Sequence, residues 1–269
     1  MTSDRCSLFA LPGIPDVQPG DDAGRLLLDA LDRAGLTLLD GDVLAVAQKI
    51  ISKTEGRLVD LATIMPSERA LELAGQSDKD PRLVELILRE SEEVSRVRPG
   101  VIIVRHRLGF TSANAGIDRS NVGPDGSDVG PDGSNVGPDG EERVLLLPVD
   151  PDLSAQRIRD LIIAERGATV GVVITDSHGR PFRLGTVGVA IGVAGLPALW
   201  DRRGEADRYG YRLQHTDVGV ADEIAAAAGL LMGQAAEGQP AVLIRGLSLP
   251  PADGRAVDLV RPKEIDLYR

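Results

Sequence analysis

The chain has one cysteine, Cys6, so it forms no internal disulfide and offers no cysteine-based zinc site. Aromatic residues make up only 3%. That excludes the rows of stacking rings used by single-strand nucleic-acid platforms and leaves aliphatic side chains to fill the core. Positive charge is also short: the net charge is −11 and the isoelectric point about 4.8. Nucleic acid is therefore not expected as a partner, because binding a phosphate backbone needs a basic face. No apolar run approaches the roughly 18 residues of a membrane-spanning helix. The segment Met1–Ala10 carries Asp4 and Arg5 instead of a signal-peptide core. These absences point to a cytoplasmic chain with no membrane partner.

Familiar catalytic signatures are missing too. There is no Gly-x-x-x-x-Gly-Lys-Ser/Thr phosphate loop and no Gly-x-Gly-x-x-Gly. The His-Glu-x-x-His zinc motif and the Gly-x-Ser-x-Gly nucleophile elbow are also absent. A nucleotide enzyme built on this sequence needs a different phosphate site.

What is present suits a sizeable core. The 269 residues are 42% hydrophobic, enough for one large domain or two intertwined smaller units. Asp21-Asp22 caps a helix whose face is Leu26, Leu27, Ala30, Leu31 and Ala34, closed by Gly35. Val43–Ala47 reads as a strand, with a polar turn at Lys53–Arg57. Helices are expected from Ser67 and from Asp80-Pro81, the latter with Leu83, Leu86, Ile87 and Val94 as its stripe. Further strands are read at Val101–Val104, Val144–Leu147, Val170–Thr175, Val187–Ala194 and Ala241–Arg245. Helices are read at Ser154–Arg166 and Ala221–Met232. Strands and helices do not alternate regularly, so the expected class is α+β, with mixed sheets, packed helices and two subdomains.

Residues 121–140 stand apart. Asn-Val-Gly-Pro-Asp-Gly-Ser at 121–127 recurs from Asp128 and again from Asn135, each copy holding a Pro-Asp-Gly turn. With almost nothing apolar, the repeat is read as a mobile loop, and its spacing lacks the pattern of calcium-binding β-rolls.

Chemistry-bearing residues fall in four segments. In Ile174–Pro181, Asp176 ends an apolar strand and is followed by Ser177, His178, Gly179 and Arg180, with Arg183 beyond. Asp and Ser oxygens suit magnesium or manganese, and the arginines suit a two-pronged grip on a carboxylate or phosphate. A strand-to-loop turn with a capping Asp reads equally well. In Ser112–Asn121, Asp118 sits in a small-residue loop, where an Asx-turn is the plain alternative. Two separated aspartates are the usual minimum for a metal that bridges phosphate oxygens. In Lys49–Arg57, a lysine pair follows a buried strand: phosphate contact or a solvated charge run. Leu11-Pro12-Gly13-Ile14-Pro15 is a rigid turn. His106 and His215 read as core or surface residues, and Trp200 as packing; His178 alone lies near a candidate site.

Taken together, these segments resemble the coenzyme F420-0:L-glutamate ligases. The likeness runs in order through Leu11–Ile14, Lys49–Arg57, Ser91–Val94, Ala113–Asn121, Ile174–Arg183, residues 187–195, Ala221–Gly233 and Arg261–Arg269. Its most specific motifs are Asn-Ala-Gly-Ile-Asp-x-Ser-Asn and Asp-x-x-Gly-Arg-Pro-x-Arg. The resemblance implies an α+β ligase fold, an intertwined homodimer, F420-0 and L-glutamate as substrates, and GTP as co-substrate. It implies two magnesium or manganese ions, with potassium as a further candidate ion. By position, Leu11, Pro12, Gly13, Ile14, Gln48, Lys53 and Asn121 resemble nucleotide contacts. So does the loop Met232, Gly233, Gln234, Ala235, Ala236, Glu237, Gly238 and Gln239. Asp118, Asp176, Ser177 and Gln234 resemble metal ligands. Gln48 stands where the family often has serine, Ser177 where it usually has threonine, and Gln234 where it often has glutamate. Some members carry a C-terminal flavin-binding domain; with Arg269 as the last residue, that second activity is not expected. The competing expectations are a metal-dependent nucleotide phosphohydrolase and a non-catalytic binding protein.

Overall fold

The computed structural model describes residues 5–122, 128–129, 135–136 and 142–266. In chain order the elements are β1 (Ser7–Ala10), α1 (Ala23–Arg33), β2 (Val43–Ala47), α2 (Gln48–Thr54), β3 (Leu58–Asp60), α3 (Glu68–Ser77), α4 (Pro81–Arg89), β4 (Ser91–Arg98), β5 (Val101–His106), β6 (Thr111–Ala113), β7 (Asp128–Val129), β8 (Asn135–Val136), β9 (Arg143–Leu145), α5 (Pro151–Arg166), β10 (Gly171–Arg180), β11 (Arg183–Ala194), β12 (Trp200–Asp201), β13 (Asp217–Val218), α6 (Val220–Met232) and β14 (Ala241–Arg245). The class is α+β, as expected, with one mixed sheet and several small antiparallel ones.

The main sheet has the order β1-β14-β2-β10-β11. Only β2 and β10 run parallel; the other pairings are antiparallel. Alternation along β2 explains why both faces are covered. Leu44 and Val46 face α1 and α5, packing with Leu27, Leu31, Ile158 and Ile162. Val43 and Ala45 face α6, packing with Ala221, Ile224 and Ala225. A separate apolar cluster joins α3 and α4 to the β4-β5-β6 sheet and the β3-β9 pair through Leu73, Leu83, Ile87, Ile102 and Val144.

Local chemistry sets the helix ends. Asp22, Ser67, Asp80 and Asp150 each accept a backbone N–H of the first turn of α1, α3, α4 and α5. Pro81 and Pro151 open their helices. Gly167 closes α5 in the left-handed region. The glycines of β11 admit close neighbours. A Cβ on Gly188 would lie 2.4 Å from the Ala225 carbonyl oxygen of α6, and one on Gly192 would lie 2.5 Å from that of Pro151 in α5.

Three expectations change. Lys53 lies on α2, not in a polar turn: Ile50 and Ile51 bury themselves against α1 and α5, and two adjacent apolar residues give a two-turn helix no readable period. Val94 is not part of the α4 stripe; the helix ends at Arg89 and Val94 pairs with Val104 across β4 and β5. Asp176–Arg180 is no strand-to-loop turn. It continues β10 into a long hairpin with β11, His178 lying opposite Val187. The reading of the whole repeat as a mobile loop falls largely outside the described residues. Of it, Asp128–Val129 and Asn135–Val136 form a short antiparallel pair. Among the described residues, no helix is long and apolar enough to cross a membrane.

Candidate active site

The parallel strand pair places the site. Thr175 of β10 is in register with Ala47 of β2, the last pair of the two strands: β2 ends there, while β10 runs on into its hairpin with β11. The residues that follow, Gln48 and Lys49 on one side and Asp176 and Ser177 on the other, line one cleft of about 620 Å³. Open sheets place ligands at the carboxyl ends of parallel strands.

Asp118 enters this cleft from the other cluster. Asn114, Ala115 and Gly116 all take left-handed backbone angles, with φ of 51°, 55° and 64°. Asn114 Oδ1 accepts the Ile102 N–H at 3.1 Å and holds this turn. Asp118 and Leu145 then exchange two backbone hydrogen bonds of 2.9 Å, which fix where the carboxylate points. Its Oδ2 lies 2.7 Å from Lys49 Nζ and accepts from Gln48 Nε2 at 2.6 Å. Gln48 is only 1% exposed, and its Oε1 accepts from the buried Ser52 hydroxyl at 2.7 Å. Both ends of this amide are therefore committed. Burial pushes the Asp118 carboxyl above the usual carboxylate range; Lys49 opposes this, and the charge of Asp176 adds to it.

The Asp176 Oδ2 is 3.0 Å from His178 Nε2. The His178 ring packs against Phe110, which stacks in turn on the buried His106. Lys53 lies one turn beyond Lys49 on α2 and pairs with Asp16 at 2.9 Å. The far wall is the loop after α6. Gly233 and Gly238 take positive φ there, and the Ala47 N–H donates to Pro240 O at 2.8 Å, tying the loop to α2. Asn121 Nδ2 donates to Ala235 O at 3.0 Å and links the Asp118 segment to this loop. Glu237 accepts the Ala235 N–H, and backbone hydrogen bonds hold its carboxyl below the ordinary range.

Most residues singled out from sequence thus line one cleft: Ile14, Gln48, Lys53, Asp118, Asn121, Asp176, Ser177 and every position from Met232 to Gln239. Leu11 is buried and anchors the entry turn through its N–H to Ala241 O, and Gly13 turns the chain at φ 75°; neither they nor Pro12 line the cleft. Arg180 and Arg183 lie out along the hairpin, and Arg180 donates to Leu184 O across its tip. The cleft also holds Asp16, Ser120, Thr175 and Gly188, which sequence reading passed over. For Asp16 the signal was its place just after the Gly13-Ile14-Pro15 turn. His106 is a core residue and His215 is exposed, as expected. Trp200 packs beside the α6 core under the Arg202 guanidinium, which lies 4.8 Å above the ring. Among the described residues, no three His, Cys, Asp or Glu side chains converge into a metal cluster.

The model of the F420-0:Gamma-glutamyl ligase family matches residues 13–246. The chain is similar to the coenzyme F420:L-glutamate ligase of Methanothermobacter thermautotrophicus, at 47% identity over 265 residues and 98% of both chains. Its counterpart in Methanopyrus kandleri is 45% identical over 257 residues, covering 94% of this chain and 93% of that one. The one in Methanocaldococcus jannaschii is 44% identical over 230 residues, covering 86% and 85%. The chain belongs to the F420-0:gamma-glutamyl ligase family.

Proposed function

We propose that this protein is a GTP-dependent ligase that joins L-glutamate to coenzyme F420-0 through an acyl phosphate, and that further γ-linked glutamates follow by the same chemistry. The observation that carries the reading is the meeting of Asp118, Asp176, Lys49 and Lys53 in a cleft walled by the Met232–Gln239 loop. The family relatives are named for the same reaction class.

The donor set fits hard divalent cations. Asp118, Asp176, Ser177 and Gln234 offer oxygen alone, as magnesium and manganese prefer. The two carboxylates also repel one another, a cost that a bound cation relieves. Beside the two carboxylates, Ser177 and the Gln234 amide oxygen would help hold the ion. Bound there, magnesium or manganese would neutralise charge on the transferring phosphoryl group.

The chain's own residues do the rest. Ile14, Asn121 and the loop from Met232 to Gln239 hold the nucleotide, with Leu11, Pro12 and Gly13 shaping the entry turn. Lys53 leaves Asp16 to meet phosphate oxygens. Gln48 acts on Asp118, holding its Oδ2 in one orientation, and Lys49 keeps that carboxylate paired until a cation arrives. The γ-phosphoryl group passes to the terminal carboxylate of F420-0, and GDP leaves. The glutamate α-amine then attacks the acyl carbon, phosphate departs and the amide forms. Arg180 and Arg183, on the exposed hairpin, orient a substrate carboxylate, and the chain works as an intertwined homodimer. Potassium is a further candidate ion, and the cytoplasm the expected location.

The test is incubation with F420-0, L-glutamate, GTP and magnesium or manganese, followed by mass spectrometry. A product heavier by one or more glutamyl units, with matching GDP release, is expected. GDP without an extended product would replace the ligase with a nucleotide phosphohydrolase.

A further inference from the structure

A second cavity of about 250 Å³ lies beside the cleft, lined by Phe110, Thr111, His178, Asp222, Val260 and Arg261 among others. None of the roles above uses it. We propose that this cavity is the amino-acid subsite, taking a zwitterionic α-amino acid with its ammonium on Asp222 and its α-carboxylate on Arg261. The assignment rests on the ligase reading, because that reaction needs a place for a second small substrate.

Position is the first argument. One hydrogen-bonded pair separates the two cavities: Asp176 lines the cleft, His178 lines the second cavity, and the two side chains are 3.0 Å apart. On the facing strand Gly188 lines the first cavity, while Val189 and Ala190 line the second. A ligand seated here lies next to the aspartate end of the cleft, where the acyl group would form. The volume falls below the range of about 300–1,000 Å³ typical of drug-sized ligands, which suits one small metabolite.

Charge is the second. Asp222 lies in the first turn of α6 and is only partly exposed. Asp222 Oδ1 accepts the Ala190 N–H at 2.8 Å, beside the register shift that passes over Ile191. That structural duty needs one oxygen, so the other retains lone pairs for an ammonium. Burial pushes the Asp222 carboxyl up, a cost that an incoming cation offsets. Arg261 is exposed and has no ion pair with a described side chain, and its planar fork matches a carboxylate. Thr111 adds a hydroxyl, and Phe110, Leu259 and Val260 give apolar walls. Phe110 is itself clamped between the rings of His106 and His178, so this wall is preformed. The Arg261 segment belongs to the C-terminal stretch that carried the family resemblance without a role.

The experiment compares wild type with Arg261→Gln and Asp222→Asn. Asn keeps an oxygen for the Ala190 N–H, and Arg261 is exposed, so both variants are expected to fold. The KM for L-glutamate should rise about tenfold or more in each, the loss of one charged hydrogen-bonding partner. The KM for GTP and the melting temperature should stay put. A glutamate KM within twofold of wild type in both variants would overturn the subsite and leave the ligase reading intact. If wild type makes no glutamate-dependent product, the ligase reading fails first. Calorimetric titration of L-glutamate into wild type and Arg261→Gln then still decides the subsite: binding lost in the variant supports it, and no binding to wild type removes it.

Discussion

Gln48→Met separates two roles that one residue could have in this cleft. The side chain is 1% exposed, accepts from Ser52 and donates to Asp118 at 2.6 Å. Methionine keeps the length and volume but supplies neither hydrogen bond. Two costs follow. The Ser52 hydroxyl, fully buried, loses its acceptor, a penalty of about 1–3 kcal/mol. The low end applies, because a helical serine can turn to the carbonyl one turn back. At roughly 2–4 °C per kcal/mol for a chain of this size, the melting temperature should fall by about 2–4 °C.

The second cost falls on the metal. Asp118 keeps Lys49 at 2.7 Å but loses the donor that fixes its Oδ2. Removing a hydrogen-bond partner of a metal ligand typically weakens affinity about 10–100-fold. Manganese titration followed by electron paramagnetic resonance, with and without GTP, reads this directly. The expected result is weaker manganese binding with GTP affinity in the absence of metal little changed. Unchanged manganese affinity with weakened GTP binding would refute the positioning role and make Gln48 a direct nucleotide contact.

Asp118→Asn and Asp176→Asn should each lower kcat by about 100-fold or more while the circular-dichroism spectrum stays that of wild type; near-normal turnover in both would remove the metal site. Glu90 is buried among Arg57, Arg107 and His106. Burial pushes its carboxyl up, but those three partners outweigh it and hold it below the ordinary value. A depressed carboxylate stabilises the fold above its unfolded pKa, and that stabilisation is lost as pH falls through the folded value. Glu90→Gln should thus cost about 3 kcal/mol at neutral pH, read by denaturant melts, with a difference that shrinks below about pH 4; a pH-independent difference would contradict the charge argument. Gly192→Ala drives a Cβ toward the Pro151 carbonyl and should cost about 2–3 kcal/mol with kcat intact in the folded fraction. Leu184 is 98% exposed at the hairpin tip beside an exposed Phe182; in the proposed homodimer, Leu184→Asp should shift the mass seen by light scattering from dimer to monomer, and an unchanged mass would remove the hairpin from that interface.

The sequence was most readable where one chemical rule governs one position. Asp80-Pro81 and Ser67 announced their helices because capping is local. The glycines at 188 and 192 announced close packing, which α6 and α5 supply. Asp118 and Asp176 were legible as separate candidates, yet nothing local says that they meet. Their meeting depends on β10 pairing with β2 and on a left-handed turn at residues 114–116 set against Leu145, both long-range events. The hairpin after Asp176 was misread for a related reason. Ser-His-Gly-Arg has the composition of a loop, and only its pairing with Thr186–Gly188 and Arg183 makes it a strand. The second cavity left no sequence signal, because Phe110, His178, Asp222 and Arg261 come from four distant segments.

That assembly also explains how so acidic a chain can handle anionic substrates. The main sheet has one parallel pair, so only there do two adjacent strands run toward the same edge. One strand delivers Asp176 and Ser177; the other delivers α2, whose i and i+4 positions, Lys49 and Lys53, share a face. Each lysine is already paired, with Asp118 and Asp16 respectively. Without ligand, both lysines are therefore held by carboxylates, and Asp176 and Glu237 leave the cleft with an acidic excess. In the proposed reaction, a nucleotide arriving with divalent cations would exchange these pairs: the cations would take Asp118 and Asp176, and the lysines would turn to phosphate. A direct consequence is that nucleotide and metal should bind with positive coupling, each freeing the partner the other needs. Lys49→Met should weaken that coupling, and calorimetric titration of GTP at low and high magnesium measures it. If the coupling in Lys49→Met equals that of wild type, the exchange of pairs is not how the cleft admits its substrate.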